Sequence, residues 1–443
     1  MKPNIVVFFS DQQRYDTIGC YNEDIDITPN LDYMASEGVL FENAFTCQPV
    51  CGPARSCMQT GKYATQTGCF VNDIGLKEDE ETMAKILSKE GYETAYVGKW
   101  HLASTRNECD FSTSPVPDEK RGGYKDYWMA SDILEFTSHG YDGYVFDKDM
   151  NKIDFKGYRA DKITDFAIDF LGNRDKNKPF LLFISHIEPH HQNDRKKYEG
   201  PNGSKEKFKN YKIPDDLNIL SGDYKEHYAD YLGCCESLDY NLGRIREKLK
   251  ELRIEDNTIV IYTSDHGCHF KTRNKKLPNG GADDYKRSFY DNTIKVPLIV
   301  YGPKFKGGKK VSELTSLIDI PKTIVEIASE NNYPEIEGIH LNHLINKDIC
   351  REAVFIQISE SYVGRAIRTN KYKYCIVDES KNPYKEMQSD SYKELYLYDL
   401  ENDSLEQNNL INDIKHENTK IHMRKLIKSF IKEIENIDVK IVY

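Results

Sequence analysis

Four short runs of apolar residues along the chain each lead directly into a cluster of polar side chains. The runs are Asn4–Phe9, Glu93–Val97, Pro179–Ser185 and Thr258–Thr263. The clusters are Ser10-Asp11-Gln12, Gly98-Lys99-Trp100-His101, Glu188-Pro189-His190-His191 and Ser264-Asp265-His266-Gly267. Short, continuous apolar runs predict strands that are buried on both faces, as in a parallel sheet.

Segments with apolar residues at helical spacing lie between these strands. They are Asn30–Glu37, Thr82–Lys89, Leu242–Leu252 and Pro321–Ala328. Strands that alternate with helices indicate βαβ units, and such sheets bind ligands beyond the carboxyl ends of their strands. We therefore predict an α/β fold, with a large mixed, mainly parallel sheet sandwiched by helices. The polar clusters should converge on one site.

The pattern changes in the last fifth of the chain. Short strand-like segments are followed there by an amphipathic helical pattern over His416–Ile434. This order predicts a smaller C-terminal subdomain with a short antiparallel sheet and a helix. We place a catalytic domain at residues 1–350 and the C-terminal subdomain, packed on it, at residues 351–443.

Charge and hydropathy exclude several classes of partner. The 443 residues carry 61 Lys and Arg against 72 Asp and Glu, a net charge of −11. An acidic balance argues against nucleic-acid binding, which needs clustered cations. The sequence has no apolar stretch near the ~20 residues of a membrane span, and the first apolar run is too short for a signal peptide. We therefore expect a cytoplasmic protein that binds neither nucleic acid nor membrane.

One motif starts at Cys51, in the sequence Cys51-Gly52-Pro53-Ala54-Arg55, and a Thr60-Gly61 pair follows it. Cysteine, proline and arginine at this spacing resemble the maturation signature of the type I, formylglycine-dependent sulfatases of the alkaline phosphatase superfamily. Gln59 departs from that signature, where leucine is usual. Read alone, the segment could also be a cluster of buried thiols. A zinc site among these cysteines lacks the C-x-x-C spacing that would support it.

The resemblance implies that a dedicated maturase, a transient partner, oxidises Cys51 to formylglycine. The family's pattern implies catalytic roles for Cys51, Arg55, Lys99, His101, His190 and Lys286. In that pattern Lys99 and Lys286 bind the sulfate, and His101 hydrogen-bonds the formylglycine hydrate. His190 matches the histidine that faces the leaving-group oxygen.

The resemblance also implies one divalent cation next to residue 51. Its ligands would be Asp11, Gln12, Cys51 in its matured form, Asp265 and His266. Many sulfatases have a second aspartate at the position of Gln12, which leaves the identity of the metal open. Oxygen ligands with one imidazole favour calcium over magnesium.

The substrate is predicted to be a sulfated small molecule or oligosaccharide, most specifically a sulfated sugar. Residues 104–165 and 195–212 are irregular and rich in polar and aromatic side chains, so we predict that both are loops over the site. Trp128 would offer an aromatic face to a sugar ring, and His191 would bind its hydroxyl groups.

Four other functions fit parts of the same pattern. A phosphonate monoester or phosphodiester hydrolase of the same superfamily would use the same formylglycine. An aryl or choline sulfatase would differ only in its leaving group. A phosphatase with a serine or threonine nucleophile is disfavoured by Cys51. A binding module with a decayed site would leave that cysteine unmodified.

Overall fold

The computed structural model describes residues 2–273 and 285–442. Its strands are, in chain order, β1 (Asn4–Ser10), β2 (Val39–Phe41), β3 (Ala44–Phe45), β4 (Glu93–Lys99), β5 (Tyr127–Ser131), β6 (Asp142–Asp147), β7 (Lys152–Lys156), β8 (Phe180–Ser185), β9 (Thr258–Ser264), β10 (Lys295–Val296), β11 (Leu298–Tyr301), β12 (Lys309–Val311), β13 (Thr315–Ser316), β14 (Val354–Ile358), β15 (Val363–Arg368), β16 (Tyr372–Asp378), β17 (Ser391–Asp399) and β18 (Lys440–Val442). Its α-helices are α1 (Pro29–Glu37), α2 (Cys51–Thr60), α3 (Ala64–Thr67), α4 (Met83–Lys89), α5 (Leu134–Thr137), α6 (Arg159–Asn173), α7 (Ser204–Phe208), α8 (Asp215–Asn218), α9 (Tyr224–Glu251), α10 (Asp291–Ile294), α11 (Asp319–Ser329), α12 (Leu341–Ile345) and α13 (Glu417–Glu435).

The main sheet has the strand order β12-β2-β11-β9-β1-β8-β4-β5-β6-β7 in the described part of the chain. Its centre, from β9 to β5, is parallel. Strand β11 runs antiparallel to both of its neighbours, and β6 and β7 add an antiparallel edge. The predicted mixed, mainly parallel sheet is therefore confirmed.

Both faces of this sheet are covered by helices. In β1, Ile5, Val7 and Phe9 pack into one apolar core together with residues of α4 and α11. Val6 and Phe8 point to the opposite core, which includes residues of α1, α6 and α9. Successive side chains of a strand alternate between its faces, so burial of both sets explains the continuous apolar run.

The prediction of a loop over residues 104–165 is wrong. This segment contains β5, which pairs with β4 in the parallel part of the sheet, and the β6–β7 hairpin. The start of α6 also lies within it. The second predicted loop, residues 195–212, is irregular except for α7, which packs on α9.

The C-terminal sheet has the order β14-β15-β16-β17-β18 and is antiparallel except for the last pair. Helix α13 packs against it, which confirms the predicted small subdomain. Phe355 of β14 and Ile427 of α13 belong to the same apolar core as Ile5 of the main sheet. The boundary at residue 350 remains a prediction. Within the described residues, no helix is both long and apolar enough to span a bilayer.

Candidate active site

The carboxyl ends of neighbouring strands bring the polar clusters to one edge of the sheet. Asp11 follows β1, Asp265 follows β9, and Lys99 is the last residue of β4. The parallel register places Ser10 opposite Ser264, and the backbone N–H of Asp265 donates to Ser10 O at 3.2 Å. The two aspartates are therefore neighbours in space although they lie far apart in the sequence.

Cys51 reaches this edge from the N terminus of helix α2. Its Sγ lies 3.4 Å from Asp11 Oδ1 and 3.3 Å from His266 Nε2. Lys286 Nζ donates to the same sulfur at 2.9 Å. Burial raises the pKa of the thiol, but Lys286, Lys99 and His266 lower it more, so the pKa is well below its ordinary value. The surroundings of residue 51 thus stabilise negative charge.

Four buried side chains could hold a metal ion together. They are Asp11, Cys51, Asp265 and His266, and their ligand atoms all lie within 4.8 Å of one another. His266 Nδ1 donates to the carbonyl oxygen of Gly267 at 3.0 Å. This hydrogen bond leaves Nε2, the nitrogen on the side of the other three groups, free to act as a ligand.

The charges at this cluster leave room for a cation. Burial, and next the charge of Asp11, raise the pKa of Asp265 to about 6. Burial and a neighbouring thiolate raise the pKa of Asp11, but Lys99, His190 and Arg55 lower it far below its ordinary value. A divalent cation would relieve the repulsion that Asp265 experiences. Carboxylates and an imidazole suit such an ion, so the donor set fits the predicted metal.

Gln12, the remaining predicted ligand, lies beside this cluster in a left-handed backbone conformation with φ of 67°. Its backbone N–H donates to Asp265 Oδ1 at 2.9 Å. Its side-chain oxygen accepts a hydrogen bond from the backbone N–H of His191 at 3.0 Å. A carbonyl oxygen is a ligand type that a hard divalent cation accepts.

Arg55 and Lys99 offset the negative charge of the Asp11 and Asp265 carboxylates. Arg55 Nη2 donates to Asp11 Oδ2 at 2.9 Å and lies 3.4 Å from Asp265 Oδ2. Lys99 Nζ donates to Asp11 Oδ2 at 2.7 Å. All of these groups are buried, so removing either cation would leave a buried charge without its partner.

Two histidines and a lysine surround residue 51 on its other sides. Lys286 Nζ lies 3.0 Å from His190 Nε2. His101 is one of the groups that lower the pKa of the Cys51 thiol, and its carbonyl oxygen lies 3.6 Å from the position that a Cβ atom would take at Gly52, the next residue of α2. His101 has φ of 59°, and its backbone N–H donates to Asp132 O at 2.7 Å, which holds this left-handed residue in place. Two groups able to transfer protons therefore lie close to residue 51.

Glu135 is a site residue that the sequence analysis missed. Its Oε2 lies 3.9 Å from His190 Nδ1, and its Oε1 accepts a hydrogen bond from the backbone N–H of Asn193 at 2.7 Å. It lies in α5, inside the segment predicted as a loop. No recognisable motif surrounds it, so only the three-dimensional structure connects it to His190.

Glu360 is a second missed residue, and it comes from the C-terminal subdomain. Its carboxylate accepts hydrogen bonds from the Asn72 backbone N–H and from Arg287 Nε, both at 2.6 Å. Asn72 Oδ1 in turn accepts from the backbone N–H of Gly52 at 2.9 Å. Glu360 therefore connects the first turn of α2 to the residue that follows Lys286.

The predicted role of Trp128 is wrong. Trp128 lies on β5 opposite Tyr96 of β4, and its side chain is only 1% exposed. Its ring stacks on Tyr96 with 5.3 Å between centroids and contacts the Arg121 guanidinium at 5.2 Å. This indole fills the core beneath the sheet and has no surface on which a sugar could stack.

His191, the other predicted sugar-binding residue, lies next to the cluster. Its ring is buried, with its centroid 4.7 Å from that of Tyr285, and its Nδ1 is 2.9 Å from Asn193 Oδ1. Burial lowers the pKa of His191, which favours the neutral ring. Its contact with substrate remains a prediction.

Comparison with known proteins gives one consistent family. Residues 3–330 match the sulfatase family, and residues 283–433 match the family described as N-sulphoglucosamine sulphohydrolase, C-terminal. An ulvan-active sulfatase of Formosa agariphila is 31% identical over 89% of this chain and 76% of its own length. An N-acetylglucosamine-6-O-sulfatase of Bacteroides thetaiotaomicron is 26% identical over 99% of this chain and 88% of its own length.

A solved structure of a protein in complex with its substrate D-glucosamine-2-N,6-O-disulfate has the same fold. The TM-score is 0.75 at 24% identity, over 98% of this chain and 99% of the other. The fold, and the site at its strand ends, define a hydrolase of the alkaline phosphatase superfamily. The chain belongs to the sulfatase family within it and is a sulfuric ester hydrolase.

Proposed function

We propose that this enzyme hydrolyses sulfate monoesters through residue 51, after oxidation of its cysteine to formylglycine, with one divalent cation bound beside it. The convergence on Cys51 carries the proposal. A buried sulfur at a helix N terminus has the Asp11 carboxylate, the His266 imidazole and the Lys286 ammonium group within 3.4 Å, and the Asp265 carboxylate within 4.8 Å. An aldehyde at this position, unlike a thiol, would form a hydrate with two hydroxyl groups.

Asp11, Gln12, Asp265 and His266 would hold the cation together with residue 51. Three oxygen ligands and one imidazole suit calcium better than magnesium, because calcium tolerates irregular geometry. A cation at this position lowers the pKa of a neighbouring hydroxyl group and offsets the negative charge of a sulfate.

Lys99 and Lys286 are placed to bind the sulfate itself. The Lys99 ammonium group donates to Asp11 at 2.7 Å, and the Lys286 ammonium group donates to the Cys51 sulfur at 2.9 Å. A sulfate ester repels an attacking oxygen, and fixed cations reduce this repulsion in a site without bulk water. Arg55, which donates to Asp11, keeps the carboxylate oriented.

The two histidines would move the protons. One hydroxyl group of the residue 51 hydrate would pass its proton to the neighbouring Asp265 carboxylate, and its oxygen would attack sulfur while the bond from sulfur to the leaving oxygen breaks. His190 would donate a proton to that leaving oxygen. His101 then accepts the proton of the second hydroxyl group. The bond between residue 51 and the sulfate oxygen breaks, the aldehyde re-forms, and sulfate leaves. Water then regenerates the hydrate.

We infer that the substrate is a sulfated carbohydrate. The named activities of the two relatives support this, since one acts on ulvan and the other on N-acetylglucosamine 6-O-sulfate. Assays on a panel of sulfated sugars identify the sugar and the position of its sulfate.

The decisive experiment combines mass analysis with kinetics. The protein is produced together with a formylglycine-generating maturase, and the peptide that contains residue 51 is weighed. We expect the mass loss that replacement of a thiol by an aldehyde causes. The matured enzyme should release sulfate from p-nitrophenyl sulfate faster than it cleaves p-nitrophenyl phenylphosphonate. Cys51→Ala should fold normally and release none. An active enzyme with an unmodified cysteine, or a preference for the phosphonate, would refute the proposal.

A further inference from the structure

A cavity of about 430 Å³ lies among chain segments that adjoin active-site residues in the sequence, and nothing in the proposed chemistry uses it. Its lining includes Asp73, Arg106, Glu108, Asp110, Ile133 and Phe136. These residues come from three separate segments of the chain. We call this cavity the side pocket.

Each of the three segments also contacts the catalytic residues. Asn72, next to Asp73, accepts the Gly52 N–H bond in the first turn of the catalytic helix. The segment that carries His101 continues into Ser104 and Arg106, and the Arg106 N–H donates to Asp73 O at 2.8 Å. The segment around Asn72 and the segment from His101 to Arg106 therefore both line the side pocket and lie next to residues 51 and 52.

The third wall reaches the proposed leaving-group acid. Phe136 follows Glu135, whose carboxylate lies 3.9 Å from His190 Nδ1. Glu135, the chain neighbour of Phe136, therefore connects the wall of the side pocket to His190. The carboxylate of Asp132 fixes this arrangement, because it accepts the backbone N–H bonds of Leu102 at 3.0 Å and Ser104 at 2.9 Å.

The lining combines an aromatic face with polar groups. The Phe136 side chain is 57% exposed although it is large and apolar. Serine, threonine and asparagine residues of the segment 104–112 line the same cavity. An exposed aromatic ring among hydroxyl and amide groups suits a sugar ring, which presents C–H groups on one face and hydroxyl groups at its edge.

The charges of the lining are unbalanced. Among the described residues that line the side pocket, the carboxylates of Asp73, Glu108 and Asp110 are accompanied by one cation, Arg106, which is already paired with Asp73 at 2.9 Å. The net charge of the side pocket is therefore negative, whereas the sulfate to be cleaved is bound by Lys99 and Lys286. A second anionic group on the same sugar would meet carboxylates that repel it.

We propose that the side pocket binds the sugar that carries the scissile sulfate, and that it selects sugars without a second negative charge. This inference rests on the proposed sulfatase function. The preferred leaving group is then a neutral or amino sugar with one sulfate. The platform for its ring is Phe136, in place of the buried Trp128.

The first test measures how much the Phe136 ring contributes to sugar binding. The matured enzyme is assayed on a panel of glucosamine and galactose monosulfates, with p-nitrophenyl sulfate as reference. Phe136→Ala should raise the KM of the best sugar sulfate roughly tenfold, with a much smaller change in kcat, since ring stacking is made equally in ground and transition states. Tyr240→Ala removes another exposed aromatic ring, outside the side pocket, and should change neither constant.

The second test measures the charge selection. The best monosulfated sugar is compared with the same sugar carrying a second sulfate. We expect kcat/KM to be at least about tenfold higher for the monosulfate at low ionic strength, and the ratio to shrink as salt is added. The double variant Glu108→Gln, Asp110→Asn should lower this ratio several-fold. The double variant Glu251→Gln, Asp256→Asn removes two exposed charges near the amino end of β9, opposite the site, and should leave the ratio unchanged.

The outcomes separate this inference from the proposed function. If p-nitrophenyl sulfate is not hydrolysed at all, the sulfatase chemistry itself is wrong. If the aryl ester is hydrolysed but no sugar sulfate is cleaved better, the side pocket does not bind a sugar. An unchanged KM in Phe136→Ala, or an unchanged ratio in the Glu108 and Asp110 double variant, overturns the corresponding half of the inference.

Discussion

Asp265 is a fully buried acid whose pKa is raised to about 6, first by burial and then by the charge of Asp11. The folded protein without metal therefore holds the proton of Asp265 more tightly than the unfolded chain does. The resulting stabilisation is complete below about pH 4 and is lost as the pH rises through about 6, and its size is roughly 3 kcal/mol at most.

We predict that chelator-treated protein is less stable at pH 7 than at pH 5, and that Asp265→Asn reduces this difference. Urea unfolding at both pH values measures it. Asp438→Asn, which removes an exposed carboxylate, should behave like the wild type. Equal pH dependence in all three proteins would show that Asp265 is not the group responsible.

The Asp265 carboxylate should also contribute strongly to the affinity of the site for its metal ion. We predict that chelation abolishes turnover and that calcium restores it more completely than magnesium. Asp265→Asn should weaken calcium binding at least about tenfold, because one charged ligand is lost. Titration calorimetry on chelated protein measures the affinity, again with Asp438→Asn as control. Full turnover by a protein shown to be free of metal would contradict this prediction.

At the scale of elements, the end of β4 sets the position of Lys99. Gly98 has φ of +102°, and a Cβ atom added there would lie 2.0 Å from the carbonyl oxygen of Ser185 on the neighbouring strand β8. We predict that Gly98→Ala lowers the free energy of unfolding by about 2–4 kcal/mol and reduces turnover, because β4 and β8 must separate.

A matched glycine provides the control for this change. A Cβ atom at Gly172, in helix α6, would meet nothing within 4 Å. Gly172→Ala should therefore stabilise the protein by about 0.5–1 kcal/mol and leave turnover unchanged. Urea unfolding and sulfate release measure both variants. A Gly98→Ala variant as stable and active as Gly172→Ala would show that the strand contact is unimportant.

The elements differ in how well the sequence predicts them. Strands β1, β8 and β9 are predictable because every residue is buried, so their apolar runs are continuous. Strand β5 is not, because its two large aromatic residues follow a glycine-rich, charged segment that resembles a surface loop. The same composition that suggested a sugar platform at Trp128 belongs instead to a strand that completes the core.

At the scale of the whole molecule, Glu360 shows why part of the site is beyond sequence analysis. Residues such as Asp11 and Asp265 directly follow apolar strands, and that local pattern marks them. Glu360 approaches the site only because the C-terminal sheet packs on the catalytic part of the chain. Its partners Asn72 and Arg287 are distant in sequence, and no spacing predicts that they meet.

We predict that Glu360→Ala lowers kcat/KM at least about tenfold, because it frees Asn72 at the start of α2 and Arg287 next to Lys286, and a tenfold loss corresponds to only about 1.4 kcal/mol. Glu394→Ala breaks another ion pair of the C-terminal subdomain, with Arg424, and should cost stability without lowering the turnover of folded enzyme. If Glu360→Ala and Glu394→Ala lost kcat/KM equally, Glu360 would contribute only to the stability of the fold.

The strand order has a consequence for the time course of folding. Strand β1 is made first, yet Ile5 pairs with Leu181 and Asn4 with Thr258. Such long-range pairings form slowly, so β1 has no strand partner until β8 (Phe180–Ser185) is synthesised, and its second partner, β9 (Thr258–Ser264), follows later still. Cys51 is only 1% exposed in the finished fold, and its neighbours Asp265 and His266 follow β9, so we expect it to be accessible during the same interval. For the proposed maturation of Cys51, the delay that exposes β1 to aggregation would also be the interval in which a maturing enzyme reaches the cysteine.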